Sequence, residues 1–167
     1  MASWSTIAVA AVAAAAVALT GGLLTEVGPW YKSLRFPSWR PPNWLFGPAW
    51  TVIFFLIAWS GVVAWQRSAS ASEGQWLIAL FVVNGGLNIL WSALFFKLRR
   101  PDWALAEVVA LWLSILALVV ATAHVSTLAG WLMFPYLAWV SFAGVLNLRI
   151  VQMNRPFDGR GDAKSLK

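Results

Sequence analysis

The sequence contains no cysteine and a single histidine, and both features exclude whole classes of chemistry. Without cysteine there is no disulfide framework, no thiolate metal site and no cysteine nucleophile. The lone His124 lies outside the hydrophobic runs, so it cannot supply a metal site or a catalytic dyad within them. A phosphate-cradling glycine motif is also missing, which disfavours an ATP-driven pump. We therefore expect no metal site, no resident cofactor and no hydrolase.

Charged residues are also scarce. They make up 11% of the chain, whereas apolar residues make up 60% and the mean hydropathy is +0.72. A soluble domain usually carries about a quarter charged residues, so this composition indicates a membrane protein. The net charge of +6 is compatible with nucleic acid, but the basic residues lie between hydrophobic runs rather than on a soluble face. We expect a lipid bilayer as the partner and no nucleic acid.

Five apolar runs are present, and each approaches the roughly 20 residues that a helix needs to cross a bilayer. They cover about residues 4–25, 43–66, 75–97, 102–123 and 128–152. The runs lack the alternation of barrel strands, so helices must satisfy their backbone groups. The sequence predicts an all-α membrane protein, a five-transmembrane-helix bundle over residues 1–154, followed by a short charged tail at 155–167.

The first run has an alternative interpretation as a cleaved signal peptide. Signal peptides begin with a basic segment, and no lysine or arginine precedes Lys32, so a retained helix is favoured. Further along the chain, Pro101 suits a first helical turn, and Thr127 is expected to cap the fifth helix. Pro135 lies inside that helix and predicts a kink.

Basic residues are distributed very unevenly between the two sides. The first loop, the third loop and the tail contain ten of them, whereas the opposite side has only Arg67. The ten are Lys32, Arg35, Arg40, Lys97, Arg99, Arg100, Arg155, Arg160, Lys164 and Lys167. Basic loops stay in the cytoplasm, so we predict a cytoplasmic C-terminus and an N-terminus outside.

Thirteen tryptophans are present, and two groups can be distinguished. Near the span ends, where an interfacial aromatic belt explains them, lie Trp4, Trp44, Trp65, Trp76, Trp103 and Trp131. Deeper in the spans lie Trp50, Trp91, Trp112 and Trp139, which need another reason.

The third span carries a polar and aromatic stripe. Asn84, Asn88, Trp91 and Phe95 follow helical spacing and share one face. An amide facing lipid is expensive, so this face should turn inward. The asparagines then either bridge helices or line a pocket, and the aromatic neighbours favour the pocket.

The opposite face of the third span is made of small residues. Ala79, Gly86 and Ala93 recur every seven residues, which allows close helix approach and predicts a homodimer through this span. Glu107, in the fourth span, is the only acidic residue clearly within a span. We expect it to reach the interface or to pair with a basic loop residue.

The second and fifth spans offer faces that match the third. The second aligns Trp50, Phe54, Ile57 and Gly61, and the fifth aligns Trp139, Ala143, Leu146 and Ile150, with Asn147 at its edge. Such stripes are more often simple packing, but small residues between large rings leave room for a flat guest. The first loop is rich in aromatic residues, proline and glycine, which favours an ordered lid over a loop lying on the headgroups.

Three motifs resemble those of the translocator protein family, whose bacterial members are called tryptophan-rich sensory proteins and whose mitochondrial members are peripheral benzodiazepine receptors. The first is Trp30-Tyr31 followed by Pro37-x-Trp39-x-Pro41-Pro42-x-Trp44-x-Phe46-x-Pro48-x-Trp50. The others are Asn84-x-x-x-Asn88-x-x-Trp91-x-x-x-Phe95-Phe96 and Pro135-Tyr136-Leu137-x-Trp139 with Ala143 and Leu146-Asn147. The resemblance covers about residues 5–155.

The resemblance implies a five-helix bundle, commonly dimeric, with a pocket that opens toward the cytosolic first loop. Members bind protoporphyrin IX, haem-like tetrapyrroles, cholesterol, and isoquinoline-carboxamide or benzodiazepine drugs. By motif, Tyr31, Trp39 and Pro42 would close the lid. The pocket would be lined by Trp50, Asn84, Asn88, Trp91, Trp139, Ala143 and Leu146. Trp50 and Trp139 match tryptophans that the family links to light-dependent porphyrin degradation.

One departure concerns cholesterol. The family's recognition segment has an aromatic residue before a basic one, and here Leu148 precedes Arg149, so sterol binding through this segment is doubtful. The leading hypothesis is a membrane receptor, sensor or carrier for tetrapyrroles, whose propionates would meet Lys32, Arg35 or Arg40. The alternative is photo-oxidative breakdown of bound porphyrin, and active transport is disfavoured because no energy source or ion site is visible.

Overall fold

The protein is described by a computed structural model that covers residues 3–157. Its helices are α1 (Trp4–Leu24), α2 (Pro29–Ser33), α3 (Asn43–Arg67), α4 (Ala71–Ser92), α5 (Pro101–Val125) and α6 (Thr127–Asn154). A π-helical turn, Ala93–Lys97, continues α4. Five helices in this range are long and apolar enough to cross a membrane, which confirms the all-α five-helix fold. Of the predicted tail, residues 158–167 lie outside the described part.

The helix ends agree closely with the predicted spans, and local chemistry explains them. Pro42 precedes the first residue of α3, and Pro101 occupies the first turn of α5, where its missing N–H is harmless. The predicted cap at Thr127 is wrong. Ser126 is the extended residue before α6, because its N–H still closes the end of α5 on the Thr122 carbonyl at 2.8 Å. Helix α6 continues through Pro135.

The five long helices form a closed ring in the order α1, α3, α6, α5, α4 and back to α1. The most extensive pair is α5 with α6, where Gly130 allows the helices to approach closely. A Cβ on Gly130 would lie 2.5 Å from the Ala123 Cβ. The central buried cluster comprises Ile53, Val108, Leu111, Ile115, Leu118, Val119, Met133, Tyr136 and Val140. The buried core therefore rests mainly on α5 and α6.

Helix α1 is peripheral, since it has no buried residue. Around the bundle, the six tryptophans expected in the interfacial belt are all exposed, with exposed fractions from 41% at Trp65 to 86% at Trp4. Tryptophan favours the boundary between lipid and water, so this pattern fits a bundle embedded in a bilayer.

The segments richest in basic residues meet at one end of the bundle. Asn154, at the end of α6, bonds to Arg35 in the first loop, and Lys97, at the end of α4, forms an ion pair with Glu26. That Lys97 ammonium lowers the pKa of Glu26 below its usual value. The arrangement agrees with the predicted clustering of basic loops on one side.

Candidate ligand-binding cavity

A cavity of about 720 Å³ lies between the helices and extends from the first loop toward the middle of the bundle. All five long helices contribute to its wall. Helix α1 and its C-cap residue supply only small side chains to the cavity wall, namely Ala11, Ala14, Ala15, Ala18, Gly21 and Gly22 from the helix and Thr25 from the cap. The opposite walls therefore supply nearly all of the large side chains.

Aromatic rings form the largest part of these walls. The indoles of Trp50 and Trp139 meet edge to face, with ring centres 6.5 Å apart and planes at 81°. Trp50 also stacks on Phe54 at 5.4 Å, and Phe46 meets Trp139 at 5.6 Å. Because these rings come from α3 and α6, the joint between those helices is an aromatic surface suited to a flat apolar guest.

The wall formed by α4 is both aromatic and polar. Trp91 stacks on Phe95 at 5.1 Å, and its buried Nε1 has no hydrogen-bond partner among the described residues. Asn88 donates from Nδ2 to the Tyr136 hydroxyl at 3.1 Å, and Ser92 lines the cavity one turn further on. A few polar groups in an apolar wall are what ligand sites use for orientation.

The first loop closes the basic end of the bundle as an ordered layer. Tyr31 on α2 is only 9% exposed, and it lies between Phe36, at 5.0 Å, and Phe96, at 5.6 Å. Burial raises the pKa of Tyr31 above its usual value, because the phenolate would lose hydration. The Arg40 guanidinium lies 4.0 Å from the Phe36 ring centre and donates to the Asn43 side chain.

Comparison with known proteins now decides the family, because the profile of the TspO/MBR family matches residues 8–153. The chain belongs to the TspO/MBR family. The tryptophan-rich protein TspO of Archaeoglobus fulgidus is 39% identical over 145 residues, covering 83% of this chain and 90% of that relative. The tryptophan-rich sensory protein of Cereibacter sphaeroides is 34% identical over 142 residues, covering 85% and 87%. The human translocator protein is 32% identical over 131 residues, covering 78% of each.

Membership of the TspO/MBR family and the five apolar helices make this an integral, multi-pass membrane protein. The names of these relatives, tryptophan-rich sensory protein and translocator protein, support a sensor or receptor role in a membrane.

Seven of the ten ligand-site residues predicted for this TspO/MBR protein line the cavity. They are Tyr31, Trp50, Asn88, Trp91, Trp139, Ala143 and Leu146. The structure brings them together, and their role in ligand binding stays a prediction.

The remaining three residues, Trp39, Pro42 and Asn84, do not line it. Trp39 is 45% exposed and packs against the half-buried Phe142 on α6, with ring centres 5.7 Å apart. Pro42 is exposed immediately before α3, and Asn84 donates from Nδ2 to the Ser114 hydroxyl at 2.8 Å. Asn84 is therefore a bridge between α4 and α5, the alternative that the sequence left open.

The deep tryptophans divide in the same way. Trp50, Trp91 and Trp139 line the cavity, whereas Trp112 donates from Nε1 to the Ser141 hydroxyl at 2.8 Å and joins α5 to α6. The expectation for Glu107 is wrong. Both of its carboxyl oxygens are buried and have no hydrogen-bond partner within residues 3–157, because the side chain packs in the protein instead of reaching the interface.

Sequence reasoning missed the cavity face of α1 in this TspO/MBR protein. Ala11, Ala14, Ala18 and Gly21 recur at helical spacing, which is the one signal that could have identified the face. Alanine is also common on the other faces of that helix, so the cavity face does not stand out in the sequence. Asn43 and Ser92 were missed because polar residues near helix ends are common for other reasons.

Proposed function

We propose that this protein is a membrane receptor, sensor or carrier that binds tetrapyrroles, including protoporphyrin IX, in the cavity between its helices. The observation that carries the proposal is the convergence of Trp50, Trp91 and Trp139, from three different helices, on one cavity. Flat apolar faces stack favourably on indole rings. The volume of about 720 Å³ also falls within the roughly 300–1,000 Å³ typical of small-molecule sites.

Charge at the cavity mouth supports a ligand that carries carboxylates. Arg40 lies against Tyr31 and bonds to Asn43, and both of those residues line the cavity. Lys32 and Arg35 lie exposed in the same loop. A tetrapyrrole with its ring among the indoles would direct its propionates toward these cations, where charge-assisted hydrogen bonds form.

The residues of the cavity wall favour recognition of the macrocycle rather than of a central metal. Among residues 3–157, no histidine, cysteine or methionine lines it, so these common ligands of haem iron are not offered by the wall. The tyrosine that does line it, Tyr31, is packed between Phe36 and Phe96. Metal-free protoporphyrin IX should therefore bind at least as tightly as haem. Absorbance titration of the protein in lipid nanodiscs with both ligands tests this, and a strong preference for haem would count against it.

A second candidate function is light-dependent oxidative degradation of the bound porphyrin. The contact between Trp50 and Trp139 favours it, since both indoles lie on the cavity wall within 6.5 Å of each other. In this role either ring would donate an electron to the photo-excited porphyrin, and dioxygen would be the terminal oxidant. Binding alone does not require these two rings to be redox-active, so illumination separates the two functions.

We also propose a homodimer through α4 and a cytoplasmic first loop. Ala79 and Gly86 are exposed on α4, and a Cβ added to Gly86 meets nothing within 4 Å, so a second helix has room to approach. Isoquinoline carboxamides are further candidate ligands of the same cavity. Sterol binding on α6 is less favoured, because Leu148 stands in the aromatic position.

A further inference from the structure

Two buried polar groups lie unpaired at the same level of the bundle. Among the described residues, the buried side-chain atoms without a hydrogen-bond partner are Trp91 Nε1 and both carboxyl oxygens of Glu107. Buried polar groups in native proteins are nearly always paired, so each exception calls for an explanation. Because both groups lie in the same region of the bundle, a single cause can account for both.

The register between α4 and α5 locates this place. Asn84 on α4 donates to Ser114 on α5, and these consecutive spanning helices run antiparallel. Seven residues further along α4 is Trp91, and seven residues back along α5 is Glu107. Two helical turns return each helix to nearly the same face, about 10 Å along its axis. Trp91 and Glu107 therefore face the same seam between α4 and α5.

This seam adjoins the cavity. Trp91 itself lines the cavity, as do Val108 and Leu111, which lie next to Glu107 and one turn beyond it on α5. Glu107 is not part of the lining. Because its neighbours Val108 and Leu111 on α5 line the cavity, we place its buried carboxyl close to the wall, where an opposite charge in the cavity interacts strongly with it in the apolar surroundings. No lysine or arginine within residues 3–157 forms a salt bridge with it.

We propose that the cavity also accepts flat lipophilic cations, such as protonated aromatic amines, with Glu107 as their counter-charge. Indole faces attract a cation through the ring quadrupole, and Trp50, Trp91 and Trp139 present indoles to the cavity. An acidic side chain inside a membrane bundle is costly and calls for a partner of opposite charge. A guest cation lying against Trp91 supplies that partner. The inference uses the proposed cavity but does not depend on tetrapyrrole binding.

A matched pair of ligands tests the proposal. 9-Aminoacridine is a cation at neutral pH, whereas acridine has nearly the same shape and is mostly uncharged. In zwitterionic nanodiscs, with empty nanodiscs as the blank, the wild-type protein should bind 9-aminoacridine about tenfold more tightly than acridine. Equal affinities would overturn the proposal, even if protoporphyrin IX binds well. Failure of porphyrin binding with the acridine preference intact would instead contradict only the tetrapyrrole function.

Variants then test whether Glu107 is the source of the preference for the cation. Glu107→Gln should abolish the preference while keeping acridine binding, and Asp102→Asn, which alters an acid paired with Arg100 on the same helix, should retain the preference. Loss of the preference in both variants, or in neither, would overturn the role of Glu107. If Glu107→Gln binds neither ligand, Glu107→Asp decides the matter. This variant keeps a carboxylate and should still favour 9-aminoacridine, whereas equal binding would refute the proposal.

Discussion

The side chain of Asn154 forms hydrogen bonds with both backbone groups of Arg35. The Asn154 Oδ1 accepts from the Arg35 N–H at 2.8 Å, and its Nδ2 donates to the Arg35 carbonyl at 2.8 Å. The pair connects the end of α6 with the loop that carries α2, although 119 residues separate them in the chain. The side-chain amide thus pairs with the backbone of Arg35 as a neighbouring β-strand would, and it holds the first loop against the end of α6.

Replacing Asn154 with alanine should loosen this loop. Two hydrogen bonds of about 1 kcal/mol each are lost, so amides around Arg35 should exchange with deuterium several-fold faster. Gln152→Ala is the matched control, because Gln152 is exposed on the same turn and its side chain accepts a hydrogen bond from Arg149 rather than from the first loop. Unchanged exchange in the Asn154 variant would show that the loop is held by its aromatic contacts instead.

The two asparagines of α4 should behave differently in ligand binding. Both make interhelical hydrogen bonds, so alanine at either position should cost about 0.6–1 kcal/mol of stability. Asn88 lines the cavity and Asn84 does not. Asn88→Ala should therefore weaken protoporphyrin IX binding several-fold, and Asn84→Ala should leave it near the wild-type value. Equal losses in titration would contradict the separation of roles.

Photochemistry should distinguish Trp50 and Trp139 from Trp112. If bound porphyrin is degraded, the double variant Trp50→Phe/Trp139→Phe should slow the loss of its absorbance under light and oxygen at least several-fold, since both candidate electron donors are removed. Trp112→Phe should bleach like the wild type, because that indole lies away from the cavity and bonds to Ser141. Equal bleaching rates in all three proteins would reject the enzymatic alternative and leave the binding function intact.

The proposed dimer depends on the open face around Gly86. Gly86→Leu should shift the detergent-solubilised protein toward monomer, since the larger side chain prevents close helix contact. Val120→Leu, at an exposed position on α5 and therefore outside this face, should not. Sedimentation analysis measures the mass of the solubilised particle. An unchanged mass for the Gly86 variant would show that the dimer interface does not lie at this face of α4.

The five-helix fold could be predicted because the bilayer imposes it. Apart from closed β-barrels, whose alternating pattern these runs lack, only long apolar helices satisfy their backbone hydrogen bonds there, so a run such as 102–123 predicts a spanning helix. The residues Trp50, Trp91 and Trp139 were also predictable, because bulky rings deep in a span need an inward face.

What the sequence could not supply is which neighbour each side chain meets. Asn84 and Asn88 share a stripe, but Ser114 lies within reach of the first and Tyr136 of the second, and only the packed bundle determines that. Trp39 belongs to the family motif, yet the path of the loop takes it to Phe142. For Glu107, the decisive fact is the packing of α5 beside α4, which no local pattern encodes.

In the proposed function, flat guests occupy the space between the indoles and the small residues of the bundle. Titration of protoporphyrin IX into an Ala143→Phe variant tests it most directly, because Ala143 lines the cavity and a phenyl ring there takes up space needed by a guest. We predict binding about tenfold weaker or more than in wild type, with Ala138→Phe, on the exposed side of α6, close to wild type. Unaltered porphyrin affinity in the Ala143 variant would show that porphyrin does not occupy this cavity.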